Sequence, residues 1–312
     1  MINHGLPLAL LNNVEKVIKG KREKIEIAIL CLLAEGHLLI EDPPGVGKTM
    51  LARALALSIG GTFNRIQFTP DLLPSDITGL SVYRPEKGGF DFFPGPIFAN
   101  VVLADELNRT TPRTQSALLE ALDEGQVSLE GKTHFLPRPF FLIATQNPLE
   151  SHGTYPLPEG QLDRFLVSLS LGYPDPEAEK EVVEMQLVEH PINLLQPVTT
   201  PEEVVKEQKK VRKIQVEPSL LDYAVAIVRK TRELPEVNLG VSPRGSISLI
   251  RLAQAVAYCQ GRDFVLPDDL KQVAPYVLSH RLFLKQTLSN DNKLASDLIK
   301  EILKEVEVPI NM

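Results

Sequence analysis

The sequence contains no tryptophan, and aromatic residues make up only 6% of it. It has two cysteines, Cys31 and Cys259, each inside an apolar stretch and without metal-ligand spacing. That excludes a disulfide scaffold and a thiolate metal centre. It predicts reduced, buried thiols and a cytoplasmic setting. The six histidines form no metal pattern. No apolar run approaches the ~18 residues of a membrane span. The short Leu-Pro-Leu-Ala-Leu-Leu patch near the N-terminus has no basic residues before it and does not read as a signal peptide. Positive charge is also scarce: 33 Lys and Arg stand against 40 Asp and Glu, a net charge of −7. A global basic field for nucleic acid is therefore missing, which leaves room only for a local patch or pore loop. What remains is a 312-residue globular composition, enough for two domains and a sizeable core.

One loop carries chemistry. Asp42-Pro43-Pro44-Gly45-Val46-Gly47-Lys48-Thr49 follows the apolar run Leu38-Leu39-Ile40 and precedes a helix-favouring run from Met50 to Ser58. That is strand, tight loop, helix. Backbone N–H groups of a glycine-bearing loop can wrap a phosphate chain, and the helix N-terminus adds partial positive charge. Pro44, Gly45, Val46, Gly47, Lys48, Thr49 and Met50 are the expected nucleotide contacts. Lys48 is placed to reach the outer phosphates, and the Thr49 hydroxyl to ligate Mg²⁺. Asp42 stands where the usual pattern has its first glycine.

Asn100-Val101-Val102-Leu103-Ala104-Asp105-Glu106 is an apolar strand that ends in two carboxylates. Such a run suits a buried parallel strand, whose C-terminal end faces the ligand crevice of an open α/β sheet. Asp105 suits the Mg²⁺ side of the site and Glu106 the general base that activates water. Adjacent strand residues point to opposite faces, so the pair reads as two roles rather than one clamp.

Residues 8–35 read as two helices broken at Lys19-Gly20-Lys21, with strands near 37–41, 62–68, 139–145 and 165–171. Residues 69–98 are irregular and rich in Pro and Gly, with short alternating pieces at Gly79 to Tyr83 and Phe90 to Phe93, an insertion long enough to be functional. Pro112 to Glu124 reads as a helix stopped by Gly125, and residues 126–136 as a hairpin. From Glu177 onward the pattern predicts helices only. The fold class is thus an α/β core, a parallel sheet sandwiched by helices, over residues 1–190, followed by an all-helical domain over 191–312.

In combination these segments resemble the AAA+ ATPases, P-loop NTPases, and within them the MoxR type. The match runs through DPPGVGKT (42–49), RIQFTPDLLPSDITG (65–79), GPIFANVVLADELNR (95–109), TQSALLEALDEGQV (114–127), FLIATQNP (141–148), YPLPEGQLDRF (155–165), GYPDPEAE (172–179), SPRG (242–245) and GRDFVLPDDLKQVAPYVLSHR (261–281). The resemblance implies further roles. Asn147 matches sensor 1, which positions the attacking water. Arg164 matches an arginine finger that enters a neighbouring subunit's site. Arg244 matches sensor 2, which touches the outer phosphates and reports them to the helical lid. Ile18 and Gly20 are candidates for the adenine pocket, and a polar switch residue on the second strand is either Gln67 or Asn64. The segments 69–98 and 126–136 resemble insertions that reach toward a pore or a client. The family implies ATP and Mg²⁺, a ring, taken as a hexamer, and chaperone-like remodelling or metal insertion with a separate von Willebrand factor A domain partner. A magnesium-chelatase-like motor subunit and a nucleic-acid-dependent motor are the competing readings.

Overall fold

The computed structural model describes residues 1–86, 88–148, 153–188, 190–285 and 292–309. Helices α1 (Gly5–Val14) and α2 (Arg22–Leu33) lead into strand β1 (Leu38–Glu41). The glycine loop passes into α3 (Lys48–Ser58), and β2 (Phe63–Gln67) follows. The insertion holds a short helix, α4 (Pro74–Thr78), and a hairpin of β3 (Gly79–Arg84) and β4 (Gly89–Pro94). After β5 (Val101–Asp105) and α5 (Pro112–Glu124) comes a second hairpin, β6 (Gln126–Leu129) and β7 (Lys132–Phe135). The core ends with β8 (Phe141–Gln146), α6 (Glu159–Leu162), β9 (Val167–Leu169) and α7 (Pro176–Val188). The lid runs through α8 (Pro201–Val211), α9 (Pro218–Lys230), β10 (Val237–Leu239), α10 (Pro243–Cys259), α11 (Pro267–Leu278), β11 (Phe283–Leu284) and α12 (Asn292–Glu305).

The strands β2-β5-β8-β1-β9 form one parallel sheet in that order. The central strands β5, β8 and β1 are apolar through Ala104, Ala144 and Ile40 because both faces are covered there, whereas edge strand β2 carries Asn64, Arg65 and Gln67. Leu38, Ile40, Val101, Leu103, Phe141 and Ile143 turn to one face, against α1–α3 and the lid helices. Leu39, Val102, Ala104, Leu142 and Ala144 turn to the other, against Leu118, Leu119 and Phe165. The central strands β5, β8 and β1 are direct neighbours. Their C-terminal ends therefore bring the glycine loop, Asp105, Glu106 and Asn147 to one edge.

Local signals set the helix limits. Gly125 stops α5 in the left-handed region at φ +63°. A reciprocal capping box joins Thr200 and Glu203 at the start of α8. Among its described residues the lid is helical apart from a ribbon in which β10 pairs antiparallel with β11 and a single bridge between Gln215 and Phe264. The sequence pattern predicts helices only there, because strands of two and three residues are too short to show alternation.

The insertion is more ordered than its composition suggests. Gly79 sits at φ +92°, and a Cβ on Gly95 would lie 2.2 Å from the Ile77 carbonyl oxygen, so the hairpin base closes only on glycine. The two hairpins meet where Phe92 stacks on His134, ring centroids 3.8 Å apart. Leu80, Val82, Tyr83, Phe90, Phe93 and Phe135 are exposed on them.

One apolar core runs through both parts of the chain. Leu30 and Leu33 of α2 belong to the same cluster as Val204, Leu220, Leu249 and Leu270 of the lid. The Gln208 amide also donates to the Leu32 carbonyl across that junction, at 2.8 Å. Cys31 and Cys259 lie in this core as free, buried thiols. Among the described residues no helix is long and apolar enough to cross a membrane.

Candidate active site

The glycine loop has the shape its residues dictate. Gly45 and Gly47 adopt φ +90° and +95°, the latter at the N-cap of α3. A Cβ on either would meet nothing within 4 Å. Packing therefore does not demand glycine there; the left-handed backbone and an open cradle for an anion do. The Lys48 Nζ donates to the carbonyls of Asp42 (2.7 Å) and Pro43 (3.1 Å). Partial burial pulls its pKa below the ordinary lysine value, against the upward pull of Asp42, Asp105 and Glu106. The Asp42 carboxylate is buried and accepts from Ser170 Oγ and Leu171 N, both at 2.6 Å, and from Gly172 N at 3.2 Å. The acid that replaces the usual glycine thus ties the loop to the chain leaving β9.

A cavity of about 330 Å³ is lined by Pro44, Gly45, Gly47, Lys48, Thr49, Met50, Arg65, Asp105, Glu106 and Asn147. Asp105 ends its strand with Oδ1 accepting from Thr145 Oγ1 (2.7 Å) and Oδ2 from Arg65 Nη2 (2.6 Å) and Nε (3.1 Å). Glu106 has left the strand: it sits at φ +58°, where a non-glycine residue is strained, and its N–H donates to Thr145 Oγ1. A backbone reversal, rather than strand alternation, separates the two carboxylates. Glu106 Oε2 accepts from Gln67 Nε2 (2.7 Å) and Arg109 Nη1 (2.9 Å). Of the two switch candidates on β2, Gln67 reaches Glu106, whereas Asn64 donates to the Pro96 carbonyl.

Arg164 and Arg244 lie elsewhere. Arg164 Nη1 donates to the Leu119 carbonyl at 2.9 Å and contacts Asp123 Oδ2. Arg244 Nη2 lies 3.4 Å from the other Asp123 oxygen. Both line a cavity of about 560 Å³ that shares no residue with the glycine-loop cavity and also holds Arg138, Arg212 and Arg251. His37 lies in its wall, and burial pushes its pKa down to about 4. Ile18 is buried in the core, and Gly20 packs against Ala178 and Asp175; neither lines the glycine-loop cavity.

A third cluster braces the Arg164 loop. Arg281, fully within the protein, donates from Nε to Asp163 Oδ1 (2.7 Å) and from Nη2 to the Phe165 carbonyl (2.6 Å). Ser242 Oγ donates to Asp163 Oδ2 (2.7 Å). Sequence reasoning did not find Arg65, Thr145, Asp123, Asp163 or Arg281. Only Arg65 carried a local signal, since it lies two residues from Gln67 on the same face of the same strand.

Residues 37–167 match the family described as ATPase family associated with various cellular activities (AAA), and residues 229–302 the AAA lid domain. The chain is 50% identical to YeaC of Bacillus subtilis, covering 98% of this chain and 96% of that protein. It is 40% identical to Chaperone MoxR1 of Mycobacterium tuberculosis, covering 98% and 83%. A crystal structure from Cytophaga hutchinsonii superposes with a TM-score of 0.88 at 36% identity, covering 97% and 95% of the two chains.

Proposed function

The chain belongs to the MoxR-type AAA+ ATPases, and from that premise we propose that it works as a ring, a hexamer, in which each ATP site is completed by arginines of the neighbouring subunit. ATP binding and hydrolysis are the chemistry of the family. The observation that carries the ring reading is the separation of Arg164 and Arg244 from the glycine-loop cavity of their own chain, while both stand together on Asp123. A finger needed for charge stabilisation must then serve another copy.

The residues divide the work as follows. Loop N–H groups and Lys48 hold the phosphates. Thr49 and Asp105 offer a hydroxyl and a carboxylate, hard oxygen donors suited to Mg²⁺. When bound, Mg²⁺ neutralises charge that builds on the phosphates. Glu106 takes the proton of the attacking water, Asn147 orients that water, and Gln67 is the switch that holds Glu106. Arg164 and Arg244 enter from the neighbour and report the γ-phosphate at the subunit boundary. Ile18 and Gly20 remain the proposed adenine side.

We assign the core over 1–190 the catalytic work and the lid over 191–312 the transmission. The exposed apolar side chains of the two hairpins support remodelling of protein clients, aided by a separate von Willebrand factor A domain protein. Two buried free thiols fit a reducing cytoplasm.

The test is ATP hydrolysis by Glu106→Gln and Arg164→Ala, alone and mixed. Each variant alone loses at least about a hundredfold in rate. Mixing them restores activity, because a mixed boundary pairs an intact Glu106 with an intact Arg164. An Arg164→Ala protein as active as wild type removes the shared site.

A further inference from the structure

Arg65 has no part in the roles assigned so far, yet it lines the phosphate cavity and makes the closest contact to Asp105. Its guanidinium bridges two acceptors. Nη2 donates to Asp105 Oδ2 at 2.6 Å and to Gln67 Oε1 at 2.7 Å, while Nε adds a second bond to Asp105 Oδ2 at 3.1 Å. Gln67 in turn donates to Glu106 Oε2. Arg65 therefore connects the carboxylate on the metal side to the carboxylate on the water side through one amide. The geometry also fixes the amide: an oxygen held by Arg65 aims the Gln67 N–H₂ group at Glu106.

We propose that Arg65 is a positioning residue that competes with a divalent cation for Asp105 and, through Gln67, ties the release of Glu106 to that competition. The inference rests on the reading of Asp105 and Glu106 given above. A guanidinium and a divalent cation on one carboxylate oxygen repel each other, so the two cannot share Asp105 Oδ2 at full strength. Weakening the Arg65–Asp105 pair also loosens the hold on the Gln67 carbonyl. Gln67 can then turn, and Glu106 loses its tie to β2 and keeps only the Arg109 pair at 2.9 Å, on which it can swing toward water. The base is thereby kept anchored until Asp105 is engaged. Arg65 is about half exposed, with 48% side-chain accessibility, so it can move without opening the core.

The experiment measures binding of a fluorescent ADP, a methylanthraniloyl derivative, in EDTA and across a Mg²⁺ titration. Wild type, Arg65→Gln, Arg65→Lys, Gln67→Ala and Lys48→Ala are compared, and steady-state hydrolysis is followed in parallel. Arg65→Gln should lower the half-saturating Mg²⁺ concentration about three- to fivefold, the range that a half-exposed ion pair supports. Its affinity in EDTA should stay within about twofold of wild type. Arg65→Lys keeps the charge but not the planar fork, so it should retain the wild-type Mg²⁺ dependence. It should also share with Gln67→Ala a raised basal hydrolysis rate. Arg65→Gln combined with Gln67→Ala should add nothing to the hydrolysis rate of either.

Two outcomes overturn the proposal. In one, Arg65→Gln leaves the Mg²⁺ dependence unchanged and weakens binding in EDTA by about tenfold, which makes Arg65 a phosphate ligand. In the other, Arg65→Lys and Gln67→Ala hydrolyse no faster than wild type, which removes the restraint on Glu106. Binding by Lys48→Ala as tight as wild type would locate the failure in the phosphate-loop reading itself.

Discussion

Replacing Asp163 with alanine is the sharpest test of how the Arg164 loop is built. Asp163 is the carboxylate partner of Arg281, whose side chain is only 2% exposed. Removing one partner of a buried pair leaves an uncompensated charge and costs about 3–5 kcal/mol. Arg281 would keep the carbonyls of Phe165, Leu166 and Val277 and the Ser248 hydroxyl, so the lower end, about 3 kcal/mol, is expected. Ser242 Oγ would also lose its acceptor. At roughly 2 °C per kcal/mol for a chain of this size, Tm should fall by about 6 °C. Urea denaturation followed by circular dichroism gives the free energy, and mixing with Glu106→Gln reports whether the variant can still take the neighbour-serving part proposed for Arg164. Arg281→Met in the same chain should recover much of the loss, because an apolar pair replaces the stranded charge. A loss below about 1 kcal/mol would refute the reasoning, since it would mean that the carbonyls alone compensate the guanidinium.

Asp42→Gly restores the commoner loop pattern but deletes three hydrogen bonds to the Ser170–Gly172 stretch, so it should lower stability by about 3 kcal/mol and weaken fluorescent ADP binding rather than improve it. Glu41, partly buried beside Ser168 and Asn292, has its pKa raised to about 7 from 4.5, with burial the main cause. Below pH 4.5 Glu41 is protonated in both states and its contribution to stability is fully present. As pH rises toward 7 the unfolded chain ionises first, and the contribution, about 3 kcal/mol, is lost. His37, with its pKa lowered to about 4 from 6.5, slopes the other way between those values, so the informative quantity is the difference between wild type and Glu41→Gln in urea titrations from pH 4.5 to 8. The difference should grow with pH and level off above 7; a constant difference would discard the Glu41 account. Gly95→Ala forces a Cβ against the Ile77 carbonyl, should cost about 1–3 kcal/mol, and should open the 69–98 insertion to limited proteolysis.

Much of the catalytic edge was legible because its residues are contiguous. The strand, glycine loop and helix of the phosphate site occupy one stretch, and Asp105 and Glu106 close an apolar run. What the sequence could not supply is the set of pairings made by the fold. Asn64 and Gln67 look alike as polar residues on one strand; only the position of Pro96 and Glu106 separates them. Arg164 and Asp163 are adjacent and oppositely charged, yet each finds another ion, Asp123 and Arg281. Asp163 and Arg281 are 118 residues apart, with no periodic signal to join them. Glu106 was read as a strand residue on the opposite face, whereas its left-handed backbone follows from contacts to Thr145 and β2 that no local pattern encodes.

The apolar core that joins α2 to α8–α11 has a mechanical meaning. A lid attached by a polar hinge could swing on its base, but a lid whose leucines interlock with those of α2 resists that motion, because packed interiors are stiff. In the proposed ring, deformation during a nucleotide cycle is then pushed outward, into the seams between subunits. Each copy would behave as a solid wedge, and the ring as an assembly of wedges that tilt against one another. Two labels placed on α2 and α10 of the same copy should keep one distance with ADP and with a non-hydrolysable ATP analogue, while labels on facing copies should not.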